Sequence, residues 1–258
     1  MIPAYPPGRD LLAGKVVVVT AAAGTGIGAA AARRCLDEGA RVVVSDWHER
    51  RLGSTAASLS AEFGPSVHAL PCDVTAEDQV QALVAGTVAH FGRLDVMINN
   101  AGLGGTASVL DMSDDEWTRV LDVTLNGTFR CTRAALRQLV EQGGGGAVVN
   151  NASVVGWRAQ EGQAHYAAAK AGVMALTRCA AMDVAAHGIR VNAVAPSLAA
   201  HPFLEKVTSA ELLSDLATRE AFGRAADPWE VATVMAFLAS DYASYLTGEI
   251  ISVSSQHP

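Results

Sequence analysis

Lys15-Val-Val-Val-Val-Thr20-Ala-Ala-Ala-Gly24-Thr25-Gly26-Ile27-Gly28 is the stretch on which the fold turns. Lys15–Thr20 is a β-branched run without a polar break, as a strand covered on both faces requires. A Gly/Ala-rich turn follows, and a helix is predicted from about Gly26 to Gly39. Glycines let backbone N–H groups approach an anion, and the helix that starts there points its positive end at it. A Gly-rich turn alone is weak evidence; its place between a buried strand and a helix strengthens it. Arg41–Ser45 reads as the second strand, and Asp46 ends it 18 residues beyond Gly28. That is close to the spacing at which a carboxylate takes the ribose hydroxyls of a dinucleotide.

Outward from this unit, short apolar runs alternate with helical stretches. Strands are predicted at Val67–Pro71, Leu94–Asn99, Ala147–Ala152, Arg190–Ala195 and Glu249–Ser254. Helices are predicted at about Glu49–Phe63, Ala76–Phe91, Gln163–His187 and Pro228–Ser240. A long helix is predicted over Asp114–Gln142, with a break near Asp122–Asn126. Gly143–Gly146 is a flexible connection, and an irregular stretch from Pro196 to about Phe222 holds one helical piece. Strand–helix alternation without a linker-like break predicts an α/β fold: one Rossmann-type doubly wound sheet of about seven parallel strands, helices on both faces, over residues 1–258. Ligands bind such sheets beyond the C-terminal strand ends. Thr20–Gly28, Asp46, Asp73, Asn99–Gly102, Ser153 and Pro196 fall there.

Composition agrees. Half of the 258 residues are apolar, enough for a sizeable core. The net charge of -7, with no massed Lys or Arg, argues against a nucleic-acid surface. Cys35, Cys72, Cys131 and Cys179 form no CxxC pair and read as reduced thiols in or near the core. No apolar run is long enough for a membrane span. Met1–Arg9 holds three prolines and no hydrophobic core of a signal peptide; it reads as a short extended arm. A cytoplasmic location is expected. His165 is read as structural, His187 and His201 are unpaired, and no metal site is expected.

Several motifs together resemble the short-chain dehydrogenases/reductases. That family writes Thr-Gly-x-x-x-Gly-x-Gly in the first turn, Asn-Asn-Ala-Gly after the fourth strand, then a Ser, a later Tyr-x-x-x-Lys, and a Pro-Gly after the sixth strand. Here stand Asn99-Asn100-Ala101-Gly102, Ser153, and Tyr166-Ala-Ala-Ala-Lys170 thirteen residues beyond that serine. The resemblance runs over about residues 12–254. It implies a nicotinamide-dependent interconversion of a secondary alcohol and a ketone. Ser153, Tyr166 and Lys170 would be catalytic, with Thr124 at the place of a further relay residue. Cofactor contacts would come from Gly24, Thr25, Gly26, Ile27, Gly28, Asp46, Trp47, Asp73, Val74, Asn100, Ala101, Gly102, Pro196 and Ala199, and also from Tyr166 and Lys170.

Tyr166 and Lys170 at i and i+4 share one helix face. A free tyrosine is too weak an acid to act as a base at neutral pH, and a nearby ammonium is expected to lower its pKa. Tyr166 would then exchange a proton with the substrate oxygen while hydride moves to or from the nicotinamide, and Ser153 would orient that oxygen. Four departures from the family pattern stand out. The first turn is one residue longer, and Ala21 replaces a glycine. Thr124 replaces the usual catalytic Asn, and is expected to bond back to a carbonyl one turn earlier; Asn126 is displaced around the helix. Pro196-Ser197 replaces Pro-Gly, and Val253-Ser254-Ser255-Gln256 replaces Val-Asp-Gly-Gly.

Asp46 and the non-basic Trp47 predict NAD(H) as the preferred cofactor, with NADP(H) possible; Arg50 and Arg51 are expected on the next helix facing solvent. The family resemblance implies a homotetramer, with Ala167, Ala168, Ala171, Met174 and Ala175 available for close approach. It also implies a substrate lid over about residues 197–222, where Leu198, Phe203, Leu204, Leu212, Leu213, Leu216 and Phe222 suggest an apolar pocket. Trp157-Arg158-Ala159-Gln160, Glu220–Val231 and the ending Ser252–Pro258 resemble a narrower actinobacterial group within the family. That group acts on CoA thioesters of hydroxy-methyl-oxo-indene acids, ring fragments of cholesterol breakdown; Arg158, Lys206 and Arg219 are candidates for the CoA phosphates. Alternatives are a 3-oxoacyl reductase-like enzyme, a free hydroxysteroid dehydrogenase, or a non-catalytic dinucleotide-binding regulator. The intact Ser153/Tyr166/Lys170 set argues against the last.

Overall fold

Alternate residues of each buried strand pack into opposite layers. Val17, Val19, Val42, Val44, Val96 and Ile98 face one core, and Val18, Val43, Met97, Val148 and Val191 face the other. The computed structural model describes residues 3–200 and 210–255. Its strands are β1 (Val16–Val19), β2 (Arg41–Asp46), β3 (Val67–Pro71), β4 (Val96–Asn99), β5 (Gly146–Asn151), β6 (Ile189–Pro196) and β7 (Ile250–Val253). They form a seven-stranded parallel sheet in the order β3-β2-β1-β4-β5-β6-β7. The order reverses between β1 and β4, which opens a crevice at their C-terminal ends.

The helices are α1 (Ile27–Asp37), α2 (Glu49–Phe63), α3 (Glu77–Phe91), α4 (Asp114–Leu121), α5 (Gly127–Gln142), α6 (Ala164–Val184), α7 (Ala210–Arg219) and α8 (Pro228–Ala239). On one face, Ala31, Ala32 and Cys35 of α1 and Val231 and Met235 of α8 cover the sheet. On the other, Leu83 of α3, Leu139 of α5 and Val184 of α6 do so. Ser113 and Asp227 begin α4 and α8 with reciprocal side-chain caps to Glu116 and Glu230. The predicted break in the long helix is a wide π turn at Asp122–Asn126, between α4 and α5.

One expectation is revised and another extended here. Cys179 is exposed, whereas Cys35, Cys72 and Cys131 are buried and free. The N-terminal arm is extended but tied down: Tyr5 donates to Asp37 at 2.5 Å, and Arg34 Nη1 donates to the Pro6 carbonyl at 2.6 Å. Arg34 also pairs with the buried Glu38, whose carboxylate accepts from the amides of Arg9 and Leu11. Among the described residues, no helix is long and apolar enough to cross a membrane, and no cluster of three or more metal-ligating side chains occurs.

Candidate active site

The turn after β1 is held from behind by β4. Thr20 Oγ1 accepts from the amides of Asn100 and Ala101 at 3.0 and 3.1 Å, and Asn100 Nδ2 donates to the carbonyls of Thr20 and Ala21 at 3.3 and 3.2 Å. Ala21, which stands where the family has glycine, takes a left-handed backbone with φ of 49°. An L-residue pays for that conformation. At Gly28 the backbone comes so close that an added Cβ would lie 2.2 Å from the Ala21 carbonyl oxygen. At Gly24 and Gly26, by contrast, an added Cβ would meet nothing within 4 Å. Gly26 begins α1 without a side-chain cap, so the first amides of that helix are left for an outside acceptor. Bare backbone at a helix start is what a pyrophosphate requires, so the residues present fit a dinucleotide.

Around this turn opens a cleft of about 2230 Å³. Every residue expected to hold the cofactor lines it: Gly24 to Gly28, Asp46, Trp47, Asp73, Val74, Asn100 to Gly102, Tyr166, Lys170, Pro196 and Ala199. Asp46, at the end of β2, is 4 % exposed and accepts from the His48 amide at 2.9 Å. Arg51 does not simply face solvent. Its Nη2 stands 3.4 Å from Asp46 Oδ1, and Arg51 also lines the cleft. Asp73 Oδ1 accepts from the amide and hydroxyl of Thr75, which shapes the loop after β3.

Ser153, Tyr166 and Lys170 meet in the same cleft. Ser153 follows β5 and lines the cleft beside Tyr166. Tyr166 and Lys170 lie one turn apart on α6, with Lys170 Nζ 5.5 Å from the centre of the Tyr166 ring. Burial pushes the Tyr166 phenol above its ordinary value, and the nearby Ser153 hydroxyl opposes that rise. The expected lowering by Lys170 is therefore not what the site shows: burial dominates. Lys170, 3 % exposed, is itself pushed down to about 8 by burial.

Thr124 departs from expectation. It is fully buried in the π turn and is not among the cleft-lining residues. Its hydroxyl does not bond back along the helix. Oγ1 accepts from the Leu103 amide at 2.9 Å and donates to the Leu103 carbonyl at 3.0 Å, so it fixes the segment after Gly102. The bond one turn back comes from Thr128, whose Oγ1 donates to the Thr124 carbonyl at 2.8 Å. Asn126 points away and donates to Asp122 at 3.2 Å on the surface. His165 is buried, and its Nδ1 accepts from the Tyr166 amide at 2.9 Å.

Sequence reasoning missed Asn151. Its carbonyl oxygen accepts from Lys170 Nζ at 2.5 Å, and its Nδ2 donates to Asn100 Oδ1 at 3.0 Å. Asn151 thus joins the lysine to the asparagine that holds the dinucleotide turn. Its place two residues before Ser153 was the available signal. Of the lid residues, Leu198, Leu213 and Leu216 line the cleft, while Phe222 is 75 % exposed. Arg158 and Arg219 also line it, and Arg219 pairs with Asp215. His201, Phe203, Leu204, Lys206, the Leu212 side chain and Gln256–Pro258 lie outside the described residues.

The profile of the family described as enoyl-(acyl carrier protein) reductase matches residues 21–255. A Mycobacterium tuberculosis protein named (5R,7aS)-5-hydroxy-7a-methyl-1-oxo-2,3,5,6,7,7a-hexahydro-1H-indene-carboxyl-CoA reductase is 67 % identical over 97 % of this chain and 96 % of its own. Cis-4-hydroxycyclohexanecarboxylate dehydrogenase of Sinomonas cyclohexanicum is 42 % identical over 95 % of this chain and 96 % of its own. Among solved structures, a short chain dehydrogenase from Mycobacterium smegmatis superposes with a TM-score of 0.89 at 56 % identity, covering 100 % of this chain and 99 % of that one.

Proposed function

This chain belongs to the short-chain dehydrogenase/reductase family and is an oxidoreductase that binds NAD(P)(H); on that premise we propose that it interconverts alcohol and ketone on a bicyclic hydroxy-methyl-oxo-indene CoA thioester, with NAD(H) preferred. The meeting of Ser153, Tyr166 and Lys170 beside a bare dinucleotide turn carries the reaction assignment. The 67 % identity with the mycobacterial reductase supports the substrate class.

A bound nicotinamide supplies or accepts the hydride. Tyr166, its pKa raised by burial, is protonated at neutral pH and placed to give its proton to a carbonyl oxygen. Ser153 holds that oxygen by a hydrogen bond and fixes its distance from the phenol. Lys170, held by the Asn151 carbonyl, would hold the nicotinamide ribose hydroxyls. Thr124 acts from behind, by holding the backbone at Leu103. Asp46 would accept from the adenosine ribose hydroxyls, and its charge would disfavour a 2′-phosphate. Leu198 after β6 and Leu213 and Leu216 of α7 supply apolar wall to the substrate.

The assembly we propose is a homotetramer. Phe129 on α5, Met182 on α6 and Phe237 on α8 are exposed apolar side chains on segments that pair subunits in the family. Ala168, Ala171 and Ala175 face outward on α6 as expected; Met174 does not, being buried with Ala152 and Val173. A monodisperse monomer by light scattering at micromolar concentration would contradict this. Buried free thiols at Cys35, Cys72 and Cys131 suit a reducing, cytoplasmic compartment.

The test of substrate is direct. The enzyme is offered the bicyclic hydroxy-indanone CoA thioester with NAD, beside 3-hydroxybutyryl-CoA and a free steroid alcohol. Highest kcat/KM on the bicyclic thioester is expected; equal or better kcat/KM on either of the others sinks the substrate assignment.

A further inference from the structure

The segment that leaves the sheet after β6 returns to the place it left. It departs at Ser197, whose amide donates to the Val253 carbonyl at 3.2 Å, at the end of β7. A short bridge between Ala199 and Ala226 closes its base, with Ala226 N donating to Leu198 O at 2.8 Å and Ala200 N to Ala226 O at 2.9 Å. Its far foot is the turn after α7. There the Ser255 hydroxyl donates to Glu220 Oε2 at 2.8 Å, and Ser255 Oγ accepts from the Phe222 amide at 3.4 Å. Ser255 lies two residues beyond β7, so both feet stand on the end of one strand.

Glu220 is an odd residue to find there. It is 5 % exposed, and among the described residues it has no ion-pair partner. Arg219 is engaged by Asp215, and Arg224 by Glu230. Burying a carboxylate costs free energy unless hydrogen bonds repay it, and the bond drawn to Glu220 comes from Ser255, at a position where the family pattern has glycine. Glu220 also lines the cleft, as do Leu213 and Leu216 on the helix it terminates.

We infer that Ser255 is a positioning residue for substrate: acting through Glu220, it fixes the end of α7 and thereby the apolar wall that Leu213 and Leu216 present to the acyl group. The inference rests on the reading that α7 and the turn after it border the substrate. It makes Ser255 part of the specificity apparatus although its hydrogen bonds run to Glu220 and Phe222 rather than to Ser153 or Tyr166.

The experiment compares Ser255→Ala, Ser255→Thr and Glu220→Gln in the full-length protein. Ser255→Ala is expected to raise KM for the bicyclic hydroxy-indanone CoA thioester by about tenfold or more, the worth of a hydrogen bond to a charged group. Its kcat and its KM for NAD should stay within about twofold, because proton transfer and the dinucleotide turn are untouched. Ser255→Thr, which keeps the hydroxyl, should restore KM. Glu220→Gln keeps an acceptor for Ser255 and should fall between. Amide exchange over residues 210–222 should quicken in Ser255→Ala and not in Ser255→Thr. Unchanged KM and unchanged exchange in Ser255→Ala overturn the inference, as does a fall in kcat with KM unmoved. If the unaltered enzyme does not turn over the bicyclic thioester, the substrate reading falls, and the same KM comparison on the alcohol it does oxidise still decides the role of Ser255.

Discussion

Lys170 Nζ donates to the main-chain carbonyl of Asn151 at 2.5 Å, and the Asn151 side chain donates to Asn100, which in turn holds the carbonyls of Thr20 and Ala21. The lysine of the reaction centre and the turn for the pyrophosphate are therefore one hydrogen-bonded unit. Damage to Lys170 should reach the cofactor, whereas damage to Tyr166 should not.

Tyr166→Phe removes the proton-transfer group and little else. Turnover is expected to fall by about a thousandfold, within the usual range for a lost general acid or base. NADH affinity, read by fluorescence titration, should change by less than about twofold, since only the phenol oxygen is lost and the dinucleotide turn is untouched. Lys170→Ala should lose both. Retention of most of kcat in Tyr166→Phe would show that the phenol is not the acid.

Lys170 also makes the protein's stability depend on pH. Burial lowers it from 10.5 to about 8, a difference of about 3 kcal/mol against the charged form. Between those values the unfolded chain binds the proton that the folded chain has released, so stability rises with pH across that window. Below it the folded protein bears the full penalty. Lys170→Met is expected to raise stability at pH 7 by about 1–2 kcal/mol, part of the gain being lost with the bond to Asn151. The gain should shrink toward pH 10. A thermal midpoint at pH 7 that does not rise tells against a buried ammonium.

Arg51 stands against Asp46 at 3.4 Å, so the cofactor end carries both signs of charge. With Asp46 intact, kcat/KM should favour NAD over NADP. Asp46→Asn frees the guanidinium to meet a 2′-phosphate, and the preference is expected to narrow by about tenfold or more, as for loss of one unfavourable charge contact. Adding Arg51→Ala should remove that gain. A wild-type preference for NADP overturns the assignment.

Ala21 offers a stability test in the opposite sense from usual. Its φ of 49° is strained for an L-residue. Ala21→Gly should stabilise the protein by about 0.5–1 kcal/mol, the strain released less the extra chain entropy of glycine. Chemical denaturation gives the number, and a loss of stability would mean that the Ala21 methyl packs more than it strains.

The sheet was legible because β-branched runs such as Lys15–Thr20 and Arg41–Ser45 carry burial on both faces in their composition. The break in the long helix falls where the sequence predicts it, at Asp122–Asn126. What escaped was pairing between distant segments. Nothing local to Thr124 shows that its hydroxyl will clasp Leu103, 21 residues earlier, and nothing local to Arg51 shows that it will fold back on Asp46. Met174 was placed on an outer face because alanines surround it; a longer side chain on that helix instead fills space beneath Gly156. The Tyr166 pKa was misjudged for a related reason: sequence shows the lysine beside it but not how far the surrounding fold withdraws the two groups from water.

The two glycines at the start of α1 answer to different parts of the molecule, and that changes how lesions in this motif are to be interpreted. A methyl at Gly26 would project into open space, where only a ligand can object to it. A methyl at Gly28 would strike the Ala21 carbonyl and the Asn100 amide, both inside the protein. Gly26→Ala is therefore a probe of cofactor recognition, whereas Gly28→Ala is a probe of assembly of the crevice itself. A genetic screen scoring only lost activity would place the two in one class, although ligand added in excess can rescue the first and has no scaffold to rescue in the second.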